Sequence, residues 1–203
     1  MKIRTDLKQG SEEWLLWRQK NITATDCSVI LNKNPFNSPF DLWEEKLLMK
    51  PRQEVNKAML RGQQLEPEAR EIACNELGIE FEPACVESSE YPWMVASLDG
   101  LSPCLEYILE IKCPNAATHI FAIEGGIHNY YMAQMQHQLC VTGANLCYYM
   151  SYNPDYHCKF KILEVLPDKE YIAELIEMEH KFYEENLCQM KEPYRLKYTS
   201  RNG

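Results

Sequence analysis

The chain has 203 residues, 45% of them hydrophobic and 11% aromatic, and a formal net charge of −9 from 21 Lys/Arg and 30 Asp/Glu. That length suits one folded domain with a sizeable core, and the composition excludes a disordered chain. No apolar run nears the roughly 20 residues that cross a bilayer. The segment "MKIRTDLKQG" lacks the apolar centre of a secretory leader, so an intracellular rather than a secreted protein is expected.

Nine cysteines, at 27, 74, 85, 104, 113, 140, 147, 158 and 188, form no CxxC pair and no zinc spacing. They read as reduced thiols packed as small hydrophobes. The acidic balance weighs mildly against a nucleic-acid partner, because phosphate binding leaves a basic footprint. A local groove can still be positive on an acidic protein. Basic residues do gather at Lys46, Lys50, Arg52, Lys57 and Arg61, and again between Lys191 and Arg201.

In chain order, "GSEEWLLWRQK" predicts a helix capped by Ser11 with acids in its first turn. "NITATDCSVILNKNPF" predicts a second, short helix. Thr23 and Asp26 stand at capping-box spacing, and Asn34-Pro35 is the expected stop. A third helix is expected over 39–49. A long fourth runs from about Glu54 to Leu77 and stops at Gly78. Then "GIEFEPACVE", "YPWMVASLDG" and "LEYILEIKC" predict a meander of short strands. Residues 116–144 predict a helical stretch, "NLCYYMSYNP" and "HCKFKILEVL" two more strands, and 168–189 an amphipathic last helix. The expected architecture is α/β: a central mixed sheet flanked by helices, with a helical N-terminal third, in a single domain over 1–203.

Within Leu105–Cys113, alternation puts Tyr107, Leu109, Ile111 and Cys113 on one face and Glu106, Ile108, Glu110 and Lys112 on the other. Glu110 and Lys112 are then same-face neighbours with Cα atoms about 6.6 Å apart. Asp99 precedes Gly100, which predicts a turn ending the previous strand; an antiparallel partner would bring its carboxylate near Glu110. Two acids and an ammonium at one end of a sheet suit metal-dependent phosphodiester hydrolysis. The lysine would orient water or neutralise developing charge. An exposed, decorative salt bridge is the plain alternative.

"LDG…LEIKCP" resembles the core of the PD-(D/E)XK, restriction-endonuclease-like superfamily. The Cys-Pro after the lysine is similar to its lambda-type, YqaJ-like branch of phage recombination exonucleases. Three further stretches resemble that branch in order: "GSEEWLLWRQKNITATD" with Arg18 and Thr25, "RGQQLEPEAR" with Glu66, and "YYMAQMQHQLCVTG" with Tyr131 and Gln134. The resemblance implies that Glu66, Asp99, Glu110 and the Ile111 carbonyl hold Mg²⁺, with Mn²⁺ substituting, while Lys112 positions water. Gln134 would bond the lysine or a phosphate, beside Tyr131 on the same helix face. Arg18 and Thr25 would bind a terminal 5′-phosphate, Thr25 from the first turn of a capped helix and Arg18 by a bidentate contact. Ser97 could add a hydroxyl there.

The implied activity is a Mg²⁺-dependent 5′-to-3′ exonuclease that degrades one strand of linear duplex DNA and leaves 3′ overhangs for single-strand annealing. The resemblance also implies a ring trimer and a single-strand annealing partner, and the expected location is the cytoplasm of a bacterial or virus-infected cell. The alternatives are a restriction-like or repair endonuclease with the same site, or a non-catalytic DNA-binding protein. No iron–sulfur cluster is expected, since no cysteine group follows Gln134. The sequence departs from the branch after the lysine. Where a basic residue is usual, "CPNAATHI" offers Thr118 and His119, which leaves dependence on a 5′-phosphate open.

Overall fold

The computed structural model describes residues 1–49 and 57–193, and within them a seven-stranded mixed sheet runs in the order β1-β3-β4-β5-β6-β7, with β2 also on β4. The strands are β1 (Lys2–Ile3), β2 (Ile22–Thr23), β3 (Glu82–Glu87), β4 (Met94–Leu101), β5 (Tyr107–Lys112), β6 (Leu146–Tyr152) and β7 (Phe160–Val165). The helices are α1 (Glu12–Lys20), α2 (Ala24–Ile30), α3 (Pro39–Lys46), α4 (Lys57–Leu77), α5 (Ala116–Ile123), α6 (Asn129–Thr142) and α7 (Lys169–Lys181). A π-helical stretch, Phe182–Cys188, continues α7. No helix among the described residues is long and apolar enough to cross a membrane. All nine cysteines are free thiols.

Both faces of the central strands are covered. Ile108, Cys147 and Tyr149 pack with Ala133, Met135 and Leu139 of α6, and with Cys27 of α2 and Leu175 of α7. Leu109, Ile111, Met150 and Tyr152 pack on the other face against Ala69 and Ala73 of α4. The alternation expected for β5 is therefore present, but helices cover both faces and only the end residues Tyr107 and Lys112 are partly open to water.

Local chemistry sets most boundaries. The Ser11 hydroxyl accepts the Trp14 amide at 3.2 Å, and Asp26 accepts the Thr23 amide at 2.8 Å, closing the α2 box. Ser38 and Asp41 form a second box on α3. Four expectations need correction. α2 stops at Ile30 rather than at Asn34-Pro35: Asn32 takes a left-handed φ of 54°, and the Lys33 and Asn34 amides turn back to the Ser28 carbonyl. α3 stops at Lys46, short of 49. The 116–144 stretch is two helices, because Gly125 has φ 89° and a Cβ on Gly126 would lie 2.4 Å from the Phe121 ring. The last helix leaves α-geometry at Phe182. The expected first turn of α4, from Glu54, lies outside the described residues, as do Lys50 and Arg52.

The fourth strand holds the feature that builds the site. Asp99-Gly100 is not a turn; the strand continues through it to Leu101. The register with β3 runs Leu98 to Ala84 and Leu101 to Glu82, so β4 carries one extra residue there, a bulge at Asp99-Gly100. Leu98 and Leu101 accordingly face the same core. Gly100 is required by space: a Cβ would come within 2.7 Å of the Phe81 Cβ and 3.0 Å of the Leu109 Cβ. β4 pairs with β5 only at Gly100 and Leu101, and β2 takes the same edge of β4 at Met94 and Val95. Asp99 thus stands where β4 and β5 fork.

Candidate active site

At the fork the Asp99 carboxylate accepts the Ile111 amide at 2.7 Å, just past the point where β4–β5 backbone pairing stops at Gly100. Glu110, on the next residue of β5, is 1% exposed despite its charge. Burying a carboxylate is tolerable only with strong donors around it. Three are present: the Lys112 ammonium, Gln134 Nε2 at 2.6 Å on one oxygen, and Gln138 Nε2 at 2.6 Å on the other. Gln134 and Gln138 lie one turn apart on α6 and grip both oxygens of one carboxylate. Gln134 therefore bonds the acid, rather than the lysine or phosphate that was expected. Gln138 was not anticipated. Its Oε1 is buried and has no hydrogen-bond partner, so aiming its amide at Glu110 carries a desolvation cost.

Lys112 is half-buried, and its ammonium lies 5.2 Å from the centre of the Tyr131 ring. Burial disfavours its charge, but the Glu110 and Asp99 carboxylates outweigh that and raise its pKa. Beside these carboxylates it stands as a hydrogen-bond donor and a positive charge. Glu66 arrives from α4 on the opposite face. Arg70, one turn later, pairs with Glu66 and donates from Nε to the Asp99 carbonyl at 2.6 Å. One guanidinium thus ties α4 to the bulge and turns Glu66 toward the fork. The signal for it, Glu66 and Arg70 at i, i+4, was present in "EPEAR".

Burial, with Glu110 and Glu66 close by, holds the Asp99 carboxyl well above its usual range. Burial also raises Glu66; Arg70 works against the shift and Glu110 adds to it. Three acids sharing one neighbourhood favour a cation there. The donor set, carboxylates with the Ile111 carbonyl as a candidate, is the hard-oxygen kind that suits Mg²⁺ or Mn²⁺. In this structure Arg70 and Lys112 serve as the counter-ions of Glu66 and Glu110.

Of the expected phosphate residues, Arg18 and Thr25 come together beside Met59 near the start of α4, while Tyr131 stays by Lys112. Arg18 Nη2 donates to Thr25 Oγ1 at 2.8 Å, and its guanidinium lies over the Trp14 ring at 4.7 Å. Both residues line a cleft of about 250 Å³ with Asn34, Asn37 and Met59. Met59 precedes Glu66 by about 10 Å of rise along α4. Ser97 is not directed at Arg18; its hydroxyl accepts Trp14 Nε1 at 2.7 Å. His119 is fully buried, bonded to Ser151 Oγ at 2.8 Å and the Cys158 carbonyl at 2.7 Å, so both ring nitrogens are engaged away from the expected phosphate site. Two described members of the basic cluster are engaged within the protein. Lys46 is buried on Asp26 at 2.6 Å, and Arg61 bonds Asn153, Asp155 and the Cys113 and Pro114 carbonyls.

A second polar cluster lies on another face of α6. Ligating atoms of Cys27, His137 and Glu179 come within 4.8 Å of one another. His137 Nε2 donates to the Val95 carbonyl at 3.0 Å, and Nδ1 shares a proton with Glu179 at 2.8 Å. No sequence spacing signals this group.

A profile of the YqaJ-like viral recombinase domain matches residues 13–145, which takes in Arg18, Glu66, Asp99, Glu110, Lys112 and Gln138. The chain belongs to that family. It is 30% identical over 143 residues to the uncharacterized protein YqaJ of Bacillus subtilis, spanning 67% of this chain and 44% of that protein. It is 28% identical over 154 residues to the uncharacterized protein R354 of Acanthamoeba polyphaga mimivirus, spanning 69% and 28%. The chain thus matches less than half the length of either curated relative. Among solved structures it is similar to an alkaline exonuclease from Laribacter hongkongensis, with TM-score 0.77, 30% identity, and 89% and 94% of the two chains covered. A structure of that exonuclease with dAMP gives TM-score 0.78 at 29% identity over the same shares. A phage-related exonuclease from Haemophilus somnus shares the fold at TM-score 0.60 and 16% identity, over 84% and 96% of the chains.

Proposed function

We propose that this member of the YqaJ-like family is a divalent-cation-dependent deoxyribonuclease that works from DNA ends, degrading one strand of a linear duplex from its 5′ end and leaving 3′ overhangs for annealing. The observation that carries the reading is the geometry of the fork: Arg70 joins Glu66 of α4 to the Asp99 carbonyl, the Asp99 carboxylate holds the Ile111 amide, and Lys112 pairs with Glu110 on β5. The similarity to an alkaline exonuclease over most of both chains supports the reaction class. That enzyme's structure with dAMP supports a mononucleotide product.

Each residue has a definable task. Gln134 and Gln138 fix the plane of the Glu110 carboxylate, and Arg70 fixes Glu66 against the bulge. Those four acids and amides form a rigid wall on which the phosphodiester can be held in one orientation. Lys112, a charged donor beside Tyr131, stabilises the negative charge that grows on the phosphoryl oxygens or holds the attacking water. A bound Mg²⁺, held by Glu66, Asp99, Glu110 and the Ile111 carbonyl, would add Lewis-acid polarisation of the phosphate. Arg18 and Thr25 are the candidate site for a terminal phosphate, and the stretch just after Lys112, "CPNAATHI", holds no Lys or Arg to assist them. A ring trimer and an annealing partner belong to the same proposal, inside a bacterial or virus-infected cell.

The test uses purified protein on linear and covalently closed circular duplexes, labelled at one 5′ or one 3′ end where linear. Nucleotide release from linear DNA alone, first from the 5′ label and abolished by EDTA, is the expected result. Nicking or cutting of closed circles would make the protein an endonuclease. Absence of hydrolysis of any DNA with Mg²⁺ or Mn²⁺ would sink the enzyme reading.

A further inference from the structure

We propose that the ring of Phe36, backed by Tyr130, is a stacking platform for an unpaired nucleobase at the end of the strand being cut. The proposal rests on the nuclease reading and gives it a site for a base, which the fork of acids lacks.

Phe36 is 77% exposed. Single exposed apolar residues are ordinary, but two features distinguish this one. Its loop is pinned: Asn34 Oδ1 accepts the amides of Phe36 at 2.8 Å and Asn37 at 3.1 Å, while Asn34 Nδ2 donates to Ser28 Oγ at 3.0 Å. The ring is therefore held out on a fixed turn of backbone. It is also continuous with the site. Phe36 meets Tyr130 edge to face at 6.0 Å between centroids, Tyr130 meets Tyr131 at 4.3 Å, and Tyr131 lies beside the Lys112 ammonium. On its other side Tyr130 stacks on His128 at 5.2 Å and 12°.

Phe36 thus stands between two places that suit phosphate. Asn34 and Asn37 of its own loop line the cleft that holds Arg18 and Thr25. Its ring contact leads in two steps to Lys112. A strand with one phosphate at each place must put a sugar and base between them. A base drawn out of the duplex loses its stacking, and an aromatic face restores that contact without reading sequence. Every base has such a face, so a platform of this kind suits an enzyme that must remove all four in turn.

The test couples a change in the protein to a change in the base. Wild type, Phe36→Ala and Phe36→Trp are compared on linear duplexes whose 5′-terminal nucleotide is normal or abasic; the ring is exposed, so the fold does not depend on it. The abasic end should cost wild type and Phe36→Trp about 5- to 100-fold in kcat/KM. It should cost Phe36→Ala less than about twofold, because the partner surface is already gone. In Ca²⁺, 2-aminopurine at that position should be quenched on binding by wild type and Phe36→Trp but not by Phe36→Ala. Equal abasic penalties in wild type and Phe36→Ala, or quenching that survives Phe36→Ala, would overturn the platform. If the protein cuts no DNA, the nuclease reading fails by itself. The fluorescence titration then decides: no base-dependent quenching by wild type overturns the platform, and quenching that needs Phe36 upholds it as a binding site.

Discussion

One helix, α6, carries two buried polar networks that differ in what surrounds them. Gln134 and Gln138 reach Glu110 at the fork, where Asp99, Glu66 and Lys112 are partly open to water. His137 reaches Glu179 and the Val95 carbonyl, where both side chains are 0% exposed. The closed network sets one acid against one base beside the Cys27 thiol, sealed from solvent, with Glu179 Oε2 lacking a hydrogen-bond partner among the described residues. The open one gathers three acids, pushes two of their pKa values upward, and stands at a break in the sheet. Charge imbalance combined with access, rather than burial of charge as such, distinguishes the candidate site.

The largest effect should come from Lys112→Ala, which is expected to lower hydrolysis by about 1,000-fold while the protein stays folded. Asp99→Asn should likewise abolish activity, yet leave the thermal midpoint in EDTA equal to or above that of wild type, since it removes one of three crowded carboxylates and keeps an acceptor for the Ile111 amide. A fall in midpoint on Asp99→Asn would show that the acids stabilise the fold. Glu179→Ala should do the reverse, costing about 3–5 kcal/mol of stability because His137 loses its buried partner. Hydrolysis per folded molecule should be unchanged; a matching loss of turnover would break the distinction between the networks. Gln138→Leu should raise the Mg²⁺ requirement about 10- to 100-fold, as expected for a residue that orients a ligand without touching the metal.

The smallest effect is in pH. Burial disfavours charge on His137, but Glu179 and the Val95 carbonyl outweigh it, so its pKa is raised above the usual value. A raised folded pKa stabilises most below the unfolded value, about 6.5, and that contribution is lost as pH rises through the folded pKa. Denaturant midpoints should therefore decline above about pH 6.5 in wild type, and this decline should be absent in His137→Gln.

Much of this was legible in the sequence where the controlling interaction is local. The Thr23–Asp26 box, the Ser11 cap, the meander and the shared face of Glu110 and Lys112 follow from spacing of a few residues. Arg18 and Thr25 were singled out as phosphate residues through family resemblance, and the structure puts their side chains in contact. Asp99-Gly100 misled because the same dipeptide that closes hairpins also suits a bulge, and only the packing of Phe81 and Leu109 on Gly100 decides between them. Gln138 and Arg70 each stood one helical turn from an expected residue, in "QMQHQ" and "EPEAR"; the periodic signal existed and its target did not. Cys27, His137 and Glu179 had no signal, since three separate helices bring them together.

The most direct test of the fork as a catalytic site is nucleotide release from a linear duplex in Mg²⁺ by wild type and Lys112→Ala, each shown by circular dichroism to melt as a folded protein. Release by wild type and none above background by folded Lys112→Ala is the predicted result. Equal release by the two proteins would contradict it.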